Sequence, residues 1–143
     1  MPKRIDEVKL FEAVVREIAR HGYQGATTKG IAKHAGINEV TLFRNYGSKS
    51  KLVITAFSEL LDQIPMQDLS YTGDLRQDLI RIVATYSETI DRYGELVPSV
   101  MTEIERNPEL KPMAKRFQGI VQKVGFIVIR YQKEGQIRKG NII

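Results

Sequence analysis

Between residues 22 and 48, glycines and helix-capping side chains alternate so closely that this stretch reads as short helices joined by tight turns. Gly22, Gly36 and Gly47 each close a helix-periodic segment, and glycine suits the left-handed conformation that ends a helix. Thr27, Asn38 and Ser48 each precede the next segment and carry the short oxygen-bearing side chain of an N-cap. Upstream, Ile5, Val8, Phe11, Val15 and Ile18, with Leu10 and Val14 beside them, make one wide apolar stripe on a longer first helix. A longer helix followed by two short ones across a tight turn is the tri-helical arrangement of a DNA reader. Ala32 is small enough for the third helix to cross the second closely, and Gly36 turns the chain four residues later. Ile37 and Leu42 then plug a small core against Phe11, Val15 and Ile31.

The remaining segments keep the same period, with no sustained alternation of the kind a strand requires. Ser48 caps a fourth helix whose buried face is Leu52, Val53, Ala56, Phe57, Leu60, Leu61 and Ile64, stopped by Pro65. Residues 65–74 read as a connector. A fifth helix carries Leu75, Leu79, Ile82, Val83, Tyr86, Ile90 and Tyr93 and ends at Gly94; a sixth runs from about Pro98 to Arg106. Asn107 and Pro108 form the next corner, and Pro112 makes the following turn either a separate short helix or a kink. The last helix carries Leu110, Met113, Phe117, Ile120, Val121, Val124, Ile127, Val128 and Tyr131 and ends at Glu134 and Gly135. Around Phe126, Ile127, Val128 and Ile129 it is apolar on every side, which implies burial on more than one face, and the girdle from Val124 to Ile129 is a candidate partner surface. The expectation is an all-α chain, with a helix-turn-helix DNA-binding domain at 1–48 and a helical regulatory domain for ligand binding and dimerisation at 49–143, joined through the fourth helix.

Composition narrows the function classes. The whole formal excess of +5 falls in residues 1–52, while residues 53–143 sum to zero. Such asymmetry points to an anionic partner at one end and a neutral body at the other. The chain contains no cysteine, which excludes disulfides and thiolate metal sites. His21 and His34 are too few for a zinc site unless carboxylates supply most of the ligands, and neither has a nearby nucleophile. No phosphate-cradling glycine loop is present. These features argue against an enzyme, a metal and a cofactor. The amino terminus does not read as a signal peptide, and the apolar stretches are too short to span a bilayer, so a cytoplasmic location without membrane attachment is expected.

The outward-facing residues of the short helices suit DNA. Asn38 caps the third helix, and Glu39, Val40, Thr41, Arg44 and Asn45 lie on its first turns, the part that reaches base edges. Arg44 suits bidentate binding of guanine, Val40 a thymine methyl and Glu39 a cytosine amine. Thr28, Lys29, Thr41, Asn45 and Lys49 are candidate phosphate contacts, and the helix starts at Thr27 and Ser48 offer free N–H groups to the same phosphates. Segregated charge and the gapless motif argue against a helical protein-interaction adaptor.

The run GYQGATTKGIAKHAGINEVTLFRNYGSKSKL from Gly22 to Leu52 resembles the DNA-binding head of TetR-family regulators, with the likeness beginning at Phe11. The resemblance implies a homodimer that binds a palindromic operator in double-stranded DNA as a repressor and is released by a small-molecule effector. It implies phosphate contacts at Thr41, Phe43, Asn45 and Lys49. Phe43 stands where the family often has tyrosine, Asn38 where serine is usual, and Gly30 where an acidic residue would complete a capping box. In the body, Tyr86, Ile90, Tyr93, Met101, Phe117 and Phe126 are the expected lining of an effector cavity. The family usually carries two further helices after the long one, so a chain shortened at its carboxyl end is either a fragment or dimerises through another surface.

Overall fold

Local hydrogen bonding at the helix ends sets the architecture. The computed structural model describes residues 4–63, 65–94 and 96–140. Among these it holds seven α-helices: α1 Glu7–Gly25, α2 Thr28–Ala35, α3 Glu39–Tyr46, α4 Lys49–Asp62, α5 Leu75–Tyr93, α6 Leu96–Arg106 and α7 Lys111–Lys133. No strand occurs among the described residues. Asp6 begins α1 by accepting from the Lys9 N–H, and the helix is broken at Gly22, whose φ of 69° and ψ of 174° lie outside helical space. Thr27 accepts from the Gly30 N–H, Asn38 from Val40 and Ser48 from Lys51. These are the three N-caps that the sequence predicts. Gly36 is left-handed, and Gly47 has a φ of 80°.

The elements diverge from expectation mainly after α4. That helix ends at Asp62, the predicted core residue Ile64 lies outside the described residues, and a 3-10 turn at Pro65–Asp68 occupies part of the connector. Asp74 caps α5 through the Gln77 N–H, a cap the sequence reading did not single out. Asn107 and Pro108 open a separate 3-10 turn, Pro108–Leu110, so the corner before α7 is a short helix rather than a kink. Pro112 then sits in the first turn of α7, where its missing N–H has no intrahelical partner to lose.

One apolar core spans most of the chain. Leu10, Phe11, Val14 and Ile18 of α1 pack with Ile31, Leu42, Leu52 and Phe57, and the same cluster continues into Val100 and Ile104 of α6 and Leu110 and Met113 at the start of α7. The helix-turn-helix therefore shares its interior with the body. Val8, expected on the buried stripe, is exposed. A second, smaller cluster joins Leu69, Ile127 and Tyr131, with Met66, Leu75, Ile82 and Val124 against it.

This second cluster holds α5, and it has a polar centre. Asp78 is 2% exposed; it accepts from the Thr72 N–H at 2.8 Å, from the Thr72 hydroxyl at 2.7 Å and from the fully buried Tyr131 hydroxyl. Burial alone would raise the Asp78 pKa, but Tyr131, the two Thr72 donors and nearby Arg81 outweigh it and hold the carboxyl below its ordinary value. Burial and Asp78 push the Tyr131 hydroxyl up to about 12. Elsewhere α5 is thinly covered: Ile80, Val83 and Tyr86 are 57%, 65% and 58% exposed. Of the described residues in the stripe expected to be buried, only Leu75 and Ile82 are packed against the second cluster, because no described element lies over the outer face.

Removing the Tyr131 hydroxyl leaves Asp78 buried with one donor fewer, so Tyr131→Phe is expected to lower the Tm by about 3–6 °C. Tyr71→Phe, whose hydroxyl bonds Glu134 at the surface, should shift it less. The pH dependence follows from the directions. The lowered pKa of Asp78 gives a stabilisation present above about pH 4 and lost as pH falls through the folded value. The raised pKa of Tyr131 gives one present below about pH 10 and lost as pH rises toward 12. Thermal melts from pH 3 to 11 on the parent chain and Asp78→Asn would read both limbs; the acid limb should flatten in the variant.

Candidate nucleic-acid interface

Two caps and one side-chain bond organise the exposed face of α2 and α3. Thr27 and Asn38 fix the starts of the two helices with their own side chains. The Thr28 hydroxyl donates to Glu39 Oε1 at 3.1 Å and so links the first residue of α2 to the first residue of α3 across the turn. A hydroxyl has one proton, so Thr28 cannot hold Glu39 and donate to a phosphate at the same moment. The bond fixes the direction of the Glu39 carboxylate, which keeps its remaining lone pairs as acceptors.

Beyond that link, α3 presents a mixed surface. Val40 is 63% exposed and Phe43 43%, two large apolar side chains three residues apart on α3. Arg44 is exposed one residue after Phe43 and enters none of the ion pairs among the described residues. Asn45 is exposed, turns back on its own helix and donates to the Thr41 carbonyl at 2.7 Å. Thr41 is half-buried, and Lys29 is exposed on the first turn of α2. Thus Val40, Phe43 and Arg44 come together on one exposed helix, with Glu39 at its start and Thr27, Thr28 and Lys29 beside it.

Lys49 is placed differently from the expectation of a free phosphate contact. Its ammonium donates to the Tyr23 carbonyl at 2.7 Å and the Ala26 carbonyl at 3.1 Å, and lies 4.4 Å from the centre of the Tyr23 ring. It thereby satisfies carbonyls left open at the carboxyl end of α1. Only its third proton is left for another acceptor. Tyr23 itself is 3% exposed, and its hydroxyl reaches Glu109 at 3.2 Å; burial and that carboxylate push its pKa up to about 12. Gln24 donates to Asn107 alongside. The end of α1 is therefore tied to α4 and to the corner before α7. Sequence reasoning missed Tyr23 and Asn107 as a joint, since neither has a local signal beyond Gly22 and Pro108.

The expected effector cavity is not assembled. Tyr86, Ile90, Met101 and Phe126 are 58%, 41%, 41% and 63% exposed, Phe117 packs against the main core, and the Tyr93 side chain lies outside the described residues. Among the described residues no element lies over the outer face of α5, and Tyr86, Ile90, Met101 and Phe126 face outward instead of enclosing a space. A cleft of about 690 Å³ lies elsewhere, between α1, α4 and the end of α5, where Phe11, Val15 and Leu60 form its apolar floor. Among the described residues no cluster of three or more metal-ligating side chains occurs, and no helix is long and apolar enough to cross a membrane.

Comparison with known proteins bears on this geometry. The sequence model of bacterial regulatory proteins of the tetR family matches residues 10–56, which is α1 through the first half of α4. In residues 10–56, the chain carries a tetR-family head. An uncharacterized HTH-type transcriptional regulator of Mycobacterium tuberculosis is 31% identical over 104 residues, covering 73% of this chain and 50% of that protein. The chain thus spans about half the length of the curated relatives it matches first. The fold is shared more widely. A HlyIIR mutant protein superposes with a TM-score of 0.80 at 18% identity, over 95% of this chain and 75% of the other. FadR of Bacillus subtilis, solved in complex with stearoyl-CoA, superposes with a TM-score of 0.70 at 20% identity, over 93% and 74%. Both likenesses extend past the head and agree with the all-helical body of this chain.

Since Lys49 stitches the break in α1, Lys49→Ala is expected to cost about 1–2 kcal/mol of stability, whereas Lys51→Ala should be near neutral. Denaturant unfolding of the two variants side by side would measure it. Equal midpoints would mean that the Lys49 tether carries no weight.

Proposed function

We propose that this chain is a TetR-family transcriptional repressor that binds a palindromic operator as a homodimer and is released by a small-molecule effector. The observation that carries the reading is the exposed face of α3, where Val40, Phe43 and Arg44 stand beside the tethered carboxylate of Glu39. Arg44 is assigned to guanine, Val40 to a thymine methyl and Glu39 to a cytosine amine. Thr27, Thr28, Lys29, Asn38, Thr41, Phe43, Asn45 and Lys49 are assigned to the rim that seats the head on the backbone. Lys49 acts there with its one remaining proton, and Phe43 by packing. The functional division is a reading head at 1–48 and a regulatory body at 49–143, acting in the cytoplasm.

Dimerisation has a physical motive, because one head touches few base pairs and a two-fold pair reads twice as many. The exposed apolar residues of α5 and α7, Ile80, Val83 and Tyr86 with Val121, Phe126 and Ile129, support a partner surface in the body. Tyr86 and Phe126 are better suited to that role than to a cavity wall. Release by an effector has a structural route through the bonds that join Tyr23 and Gln24 to Glu109 and Asn107. The fold shared with a FadR solved with stearoyl-CoA makes a long-chain acyl-CoA the first effector to try.

Mobility-shift titration with DNA from upstream of the chain's own gene tests the reading. A preferred fragment should be bound over random DNA, with affinity falling steeply as salt rises. Arg44→Ala is expected to lose about 1–3 kcal/mol on the preferred site and relax base choice at one position per half-site, whereas Lys29→Ala should weaken all sequences alike. No preference over random DNA at moderate salt would remove the reading. Stearoyl-CoA should raise the Tm and dissociate the complex if it is an effector.

A further inference from the structure

The interface between α1 and α2 contains a charge that none of the reading contacts uses. Glu17 lies on the same stripe of α1 as Leu10 and Val14 and is 4% exposed. Its Oε2 is buried without a hydrogen-bond partner, and His34 Nδ1 stands 3.4 Å away. Burying a carboxylate with so little compensation is costly, and an apolar side chain would serve packing better.

Two features of α2 meet this carboxylate. The first turn of α2 has no acidic residue, and its third position is Gly30. A Cβ at Gly30 would lie 2.9 Å from Glu17 Cδ and closer still to Oε1, so the acid occupies the space where a side chain of residue 30 would begin. One turn later, His34 Nδ1 is 2.9 Å from the Gly30 carbonyl. A carbonyl only accepts, so Nδ1 donates its proton to Gly30, and Glu17 Oε2 is left without a donor.

We propose that Glu17 is a positioning residue of the reading head: its carboxylate, carried by α1, replaces the acid missing from the first turn of α2 and fixes the direction in which α2 presents Thr27, Thr28 and Lys29. The positive end of the helix favours a negative charge there. Gly30 is the matching half of the device, because any side chain would evict the carboxylate. A buried charge kept against packing fits a head that gives up some stability for a fixed geometry. This inference rests on the DNA-binding reading and deepens it.

Four full-length chains test it: the parent, Glu17→Leu, Gly30→Ala and the double variant, each measured for Tm and for affinity toward the preferred DNA fragment over random DNA. Glu17→Leu should keep or raise the Tm while affinity for the preferred fragment falls about fivefold. A residue with a merely structural role would move both readouts in the same direction. Gly30→Ala should lower both on the parent, yet raise the Tm and leave affinity unchanged when combined with Glu17→Leu, because the glycine penalty is then relieved without evicting an acid. Tm and affinity falling together in Glu17→Leu, unchanged affinity in that variant, or Gly30→Ala acting alike in both backgrounds would overturn the assignment. If the parent prefers no DNA at all, the DNA-binding reading fails by itself, and the reversal of the Gly30→Ala effect on Tm still decides whether Glu17 governs the start of α2.

Discussion

At Gly22 the chain leaves helical space, and the backbone groups released there must find partners elsewhere. Just beyond the break, two carbonyls at the end of α1, those of Tyr23 and Ala26, are taken by Lys49, the first residue of α4. The Tyr23 ring lies buried under that cation while its hydroxyl reaches Glu109, and Gln24 bonds Asn107. One short break thus joins the longest helix of the head to α4 and to the corner before α7. Because Val100, Ile104, Leu110 and Met113 continue the head's core, the joint is polar at its rim and apolar within. A displacement of the corner before α7 would act directly on the end of α1, and through the α1–α2 packing on the reading face.

The head was legible from sequence because its determinants are local. Thr27, Asn38 and Ser48 each cap an N–H two or three residues away, and Gly36 and Gly47 each close their own turn. Such interactions are written within a few residues of one another and need no knowledge of the rest of the fold. Leu42 and Ile37 were equally readable, since a plug across a tight turn has few places to go.

What was not legible depends on distant or absent neighbours. Lys49 stands at a helix start, a position that suggests a phosphate, but its actual acceptors are 23 and 26 residues upstream. Glu17 looks like an ordinary surface acid until Gly30 is set against it; an acid on an apolar stripe and a glycine inside a short helix were the available signals. The stripe on α5 has the right period for burial, yet periodicity states only that a face is apolar and not what covers it. Among the described residues of that stripe only Leu75 and Ile82 find cover, and Asp78 with Tyr131 holds the helix where apolar packing does not.

The central claim is that α3 reads base edges in the major groove, and methylation of guanine N7 reports on that groove directly. Dimethyl sulfate footprinting of the preferred fragment should show protected guanines in two symmetric half-sites about one helical turn, or a multiple of it, apart. The Arg44→Ala chain, added at saturation, should lose protection at one guanine per half-site and keep the others. Unchanged guanine reactivity on a fully bound fragment would contradict the account, because it would mean that the head grips DNA without placing α3 in the major groove.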